Sequence, residues 1–238
     1  RARCAEAHPR PPYGPRGGIM LGLRHRRLSV AALGHARQDA LVDGVYSVAL
    51  TLFVLDLKIP DGLSPEQLDA FWPVILPKAL SFVLGFVMAA SAWIYVHQMS
   101  ALYTRTNLGH LVRTVASLML VCALPFTTAA MGAYSSRPLG PMLFSGNVAI
   151  LVGVYTLDLI LSRKSLISDA ISPSLVNQII AAHIGAVCWA GFCCLYLSPL
   201  SPRLGIAGIV AYVAMHWINI WWFEPQMHAA RAAIEAKE

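Results

Sequence analysis

Residues 37–60 read RQDALVDGVYSVALTLFVLDLKIP. After the arginine, about 20 residues from Gln38 to Leu57 are mostly apolar and free of proline, enough for a helix to cross a bilayer core. Three acids fall in the run, Asp39 at its very start. Asp56 stands beside Lys58 and Pro60 and belongs to a membrane edge, whereas Asp43 lies well inside, where an ionisable group is costly and marks a functional candidate. At 100° per residue, Leu41, Val48, Leu52 and Leu55 fall within about 60° of one another, with Thr51 at the flank and Asp43 about 140° from Val48. From periodicity alone this aliphatic stripe is expected to pack against helices of its own chain, because apolar stripes usually mean core.

Arg37, three residues, Leu41-Val42-Asp43-Gly44, then Ala49-Leu50-Thr51-Leu52 and Leu55-Asp56-Leu57-Lys58-Ile59-Pro60 together resemble the first helix of the transmembrane protein 175 family of potassium channels. The family pattern has Phe-Ser where this chain has Leu41 and Val42, so a serine hydroxyl is lost. Trp93 and His97 near the end of the second span, and Pro125-Phe126 with Thr128 in the third, are also similar to the family. The resemblance implies a homotetramer in which the first helices line a central pore. Val48, Leu52 and Leu55, with Thr51 nearby, would form its constriction and filter. It also implies that potassium crosses narrow aliphatic rings partly dehydrated, since no Thr-Val-Gly-Tyr-Gly carbonyl filter is present. Arg37, Asp43 and His97 would form a structural polar network, with Asp43 buried and anchoring the first helix through His97. Gly44 would permit close helix approach. A single six-helix unit resembles the bacterial members, which implies the plasma membrane.

Composition supports the membrane reading independently. The chain has 238 residues, 57% hydrophobic and 13% charged, far from the roughly 25% charged of a soluble domain. Six spans are expected near residues 38–57, 79–99, 111–133, 140–161, 175–197 and 204–223 of an all-α polytopic membrane protein. Residues 1–36 are expected to be a flexible basic cytoplasmic arm, 37–224 the channel domain and 225–238 a short cytoplasmic tail. The chain begins with Arg, so either an initiator is removed or translation starts at Met20. The net charge of +6 would suggest nucleic acid in a soluble protein. Here orientation accounts for it, and no nucleic-acid partner is expected: 14 Lys and Arg fall on the side of both termini and four on the other, which places both ends in the cytoplasm.

Enzyme signatures are missing: the sequence has no His-x-x-x-His pair, no Gly-x-Ser-x-Gly elbow and no phosphate loop, so neither catalytic residues nor a metal or other cofactor is expected. The five cysteines show no metal-ligand spacing. Arg37, Asp43, His97, Arg113 and Asp158 fall in the same half of the membrane, where they could satisfy one another. Two alternatives stand beside the channel: a proton-coupled transporter using Asp43, His97 and Asp158 as a relay, and a non-conducting membrane scaffold.

Overall fold

The computed structural model describes residues 17–58, 62 and 64–236, and side chains from 35 onward within them except those of 56, 65 and 68–70. Among the described residues it is all helical. The elements are α1 (Gly17–Leu52) with a 3-10 turn (Phe53–Asp56), α2 (Pro65–Ser100), α3 (Leu108–Ala133), α4 (Leu139–Ser162), α5 (Pro173–Phe192), a π-helical turn (Cys193–Leu197) continuing into α6 (Ser198–Leu200), and α7 (Pro202–Glu235). They supply six helical segments long and apolar enough to cross a membrane, α5 and α6 together forming the fifth.

Several expected boundaries are corrected. The helix carrying the Arg37 stretch begins at Gly17, so residues 17–36 are helical and not a flexible arm; residues 1–16 lie outside the described residues. The expected tail is likewise helical to Glu235, with Pro225 inside the helix. The second span, expected from residue 79, belongs to a helix that starts earlier, at Pro65, because Ser64 caps it there, and Pro73 and Pro77 lie within it. The Ser64 hydroxyl accepts from the Gln67 backbone while the Gln67 side chain accepts from the Ser64 backbone, a reciprocal cap over a Pro65 that has no N–H to lose. Pro125 falls inside α3 as expected.

One core binds α1 to α2, α3, α4, α5 and α7 through Tyr46, Met88, Val121, Leu151, Ala186 and Tyr212, among others. A second core lies at the end of the bundle that holds Arg37, where the α2–α3 and α4–α5 connections pair: Thr104 N–H donates to Leu166 O at 2.9 Å and Ser168 N–H to Leu102 O at 3.3 Å. Glycine is used where helices nearly touch. A Cβ on Gly85 of α2 would strike Thr128 of α3 and Phe53. Gly44, expected at such a contact, has no neighbour within 4 Å of the place its Cβ would occupy.

Candidate functional site

α1 divides cleanly into two faces. Val42, Tyr46, Ala49 and Phe53, spaced four, three and four apart, are buried in the shared core, and the hydroxyls of Tyr46 and Tyr155 pair across to α4. The stripe lies on the other side. Leu41, Val48, Leu52 and Leu55 are 47%, 58%, 41% and 58% exposed, so the expectation that they fill the core of their own chain is corrected. The inner face is already occupied by Val42, Tyr46, Ala49 and Phe53. Thr51 is exposed on the same outer side, and its hydroxyl donates to the Val48 carbonyl at 2.8 Å. Leu50 is half-buried and packs toward the core.

The expected Arg37, Asp43 and His97 network is rearranged. Asp43 is exposed, and its Oδ1 accepts from Trp93 Nε1 at 2.8 Å. His97 does not reach the carboxylate; its ring stacks on Trp93 with centroids 5.6 Å apart and planes at 26°. Arg37 is exposed and makes no hydrogen bond or ion pair among the described residues. Trp93 is therefore the residue that sequence reasoning missed as the partner of Asp43. Its spacing of four from His97 carries the signal, since positions i and i+4 share a helix face. Val42, which stands where the resembled pattern has Ser, is buried in the apolar core.

The polar centre of the bundle is Asp158, near the end of α4. Its carboxylate accepts from Arg113 Nε at 2.7 Å, from His110 Nδ1 at 2.9 Å and from the Tyr103 hydroxyl at 3.0 Å. Arg113 also donates to Ser162 Oγ at 3.2 Å. This satisfies the carboxylate on three sides, as a charge taken out of water requires. His110 and Arg113 sit on the first turns of α3, which Asn107 caps by accepting from the His110 backbone N–H at 2.8 Å. Gln38 of α1 completes the cluster. Its Nε2 lies 2.9 Å from His110 Nε2 and 3.0 Å from Thr114 Oγ1, while its Oε1 accepts from Thr106 Oγ1 at 3.0 Å. An amide at the start of an apolar stretch reads as a boundary residue in sequence, and only the packing of α3 against α1 reveals it as a link.

The three relay residues are not brought together: Asp158 is enclosed by α3 and the α2–α3 connection, Asp43 meets Trp93, and His97 is exposed. Elsewhere in the interior His183 and His216 are buried on either side of Tyr95, at centroid distances of 4.6 and 6.4 Å. Among the described residues no group of three His, Cys, Asp or Glu side chains is placed to hold a metal ion.

Residues 37–125 match the family model described as Endosomal/lysosomal potassium channel TMEM175. Among curated proteins, the chain is 30% identical over 102 residues to a potassium channel of Streptomyces collinus, covering 41% of this chain and 48% of the relative. It is 31% identical over 104 residues to a potassium channel of Chamaesiphon minutus, covering 43% and 51%. The chain thus spans about half the length of the curated relatives it matches. In three dimensions it superposes on the crystal structure of a lysosomal potassium-selective channel TMEM175 homolog from Chamaesiphon minutus with a TM-score of 0.66 and 21% identity, over 79% of this chain and 98% of the other. The fold is the one that structure has, and the sequence match falls on the segment that carries Arg37, Asp43, His97 and the exposed stripe.

Proposed function

From the TMEM175 family match over residues 37–125, we propose that this chain is one subunit of a potassium-selective cation channel, conducting passively through a central pore of four copies. The observation that carries the reading is the outer face of α1. Val48, Leu52 and Leu55 form an aliphatic row along a span whose inner face is fully used, and Thr51 brings a hydroxyl to its flank. One such row encloses nothing, so conduction requires copies arranged around an axis with this face turned inward. Rings of valine and leucine admit an ion only when it sheds part of its hydration shell. Potassium holds that shell less tightly than sodium, so discrimination arises from the width and dryness of the rings.

The permeant ion is the only small partner the reading needs, beyond lipid and the chain's own copies. In this reading the Arg37 end and both termini face the cytoplasm and the membrane is the plasma membrane; the concentration of basic residues at the Arg37 end supports that orientation.

The test is ion flux in proteoliposomes containing the full chain. Potassium should pass down its gradient with no proton gradient applied. Leu52→Asn should fold, because an amide facing a pore meets water, and should raise sodium flux relative to potassium. Leu50→Ala, on the half-buried side, should leave the ratio unchanged. Flux that appears only with a proton gradient, or a ratio that follows Leu50 and ignores Leu52, overturns the assignment.

A further inference from the structure

Gln38 stands outside the stripe and outside the Asp43 contact, yet it is the residue through which α1 is tied to the buried charge cluster. Asp158 accepts from His110 Nδ1, so that nitrogen carries the proton, and in the neutral ring Nε2 is left as an acceptor. The Gln38 amide nitrogen, 2.9 Å away, donates to it. Every neighbour agrees with this orientation of the amide. Thr114 spends its hydroxyl proton on the His110 carbonyl at 3.0 Å and so accepts the second amide proton, while the Thr106 hydroxyl donates to Oε1. Arg113 balances Asp158, which leaves the neutral ring as the charge-matched state.

We propose that Gln38 is a positioning residue for the outer face of α1, holding that helix in register by reading the tautomer that Asp158 imposes on His110. This rests on the channel reading only for its effect on ions; the coupling of Gln38 to His110 is a property of the single chain. A protonated imidazole would turn Nε2 from acceptor to donor and set it against a donor amide. Turning the amide over would restore that contact but place Oε1 against a Thr114 oxygen whose proton is already used. The charged and titratable groups around His110 are Asp158 from α4, Arg113 from α3 and Tyr103 from the α2–α3 connection. The same cavity is lined by His35, Asp39 and Tyr46 of α1, Tyr95 of α2 and Tyr155 of α4.

The donor and acceptor logic gives a signature that simple packing does not. Gln38→Glu keeps the shape but as a carboxylate can only accept at His110, so the contact needs one added proton, on the ring or on the carboxyl, whereas Gln38→Leu can neither donate nor accept. The full chain in nanodiscs would be followed by hydrogen exchange of the α1 amides from 38 to 52, corrected for intrinsic rates, between pH 6 and 8. Gln38→Leu should exchange at least about fivefold faster at every pH, the net worth of one of the three hydrogen bonds it deletes. Gln38→Glu should gain protection as the pH is lowered, opposite in sign to the native chain. Exchange of the Glu variant that ignores pH, or native protection in the Leu variant, overturns the proposal; if the Leu variant does not fold, the Glu variant decides alone. Potassium and sodium flux from the same preparations should show a lowered potassium preference wherever protection is lost. A native chain that passes no potassium while the exchange pattern holds removes the channel reading and leaves the role of Gln38 standing.

Discussion

The two acids of the membrane interior differ in what their neighbours ask of them. Asp43 is exposed at the flank of α1 and accepts one hydrogen bond, from Trp93, so Asp43→Ala in an isolated subunit should cost about 1 kcal/mol or less. Asp158 is enclosed, with 13% of its side chain exposed beside an Arg113 that is 19% exposed, and it serves Arg113, His110 and Tyr103 together. Removing it leaves a guanidinium with no counter-charge, and Asp158→Ala should cost on the order of 3–5 kcal/mol. Thermal unfolding of the two variants in one detergent measures the contrast, and equal losses would show that the cluster is not the anchor its geometry describes. In the sequence both are acids within apolar runs, and Asp43 looks the more buried because it lies deeper in its run. Only side chains from α3 and the α2–α3 connection, 45 to 55 residues earlier in the chain, reverse that order.

At the scale of elements, α1 is a helix whose two faces should respond oppositely to truncation. Phe53→Ala deletes a side chain 3% exposed that touches Phe86 edge-on at a centroid distance of 6.5 Å, and should destabilise the chain by about 3–5 kcal/mol. Leu52→Ala, one residue away and 41% exposed, leaves no cavity inside the subunit and should cost under about 1 kcal/mol. Its effect belongs to conduction. The α2–α3 contact gives a second element-scale test. Gly85→Val has no room beside Thr128 and Phe53, so the helices must part, at a cost of about 1–3 kcal/mol or more in the same unfolding measurement. Helix existence was legible from apolar length, and the stripe from its 100° geometry. The ends were not: Ser64 starts α2 ahead of two prolines, and α1 and α7 continue past the apolar limits, because a cap and backbone hydrogen bonding carry a helix through residues that a hydropathy reading assigns to loops.

At the scale of the whole molecule, the exposed row on α1 should find its partner in other copies, and cross-linking or native mass spectrometry after mild lipid-preserving extraction should give a tetramer. A strict monomer that still conducts potassium would remove the central pore. Leu41→Asp, at the Arg37 end of the row, should weaken the assembly while the isolated chain keeps its fold, since Leu41 is 47% exposed in the subunit. The sequence by itself determined that this is an all-helical chain with six membrane spans, and which residues of the first span share a stripe, because hydropathy and the helical period act locally along the chain. It did not determine which way that stripe faces, since packing inside the subunit and facing outward give the same periodicity. Tertiary structure decided it: Val42, Tyr46, Ala49 and Phe53 take the inner side against the shared core and leave Val48, Leu52 and Leu55 outside. It also decided the pairing of the buried polar groups. Gln38, the Tyr103–His110 stretch and Asp158 are far apart in sequence, and a charge withdrawn from water accepts whichever donors the folded helices bring to it.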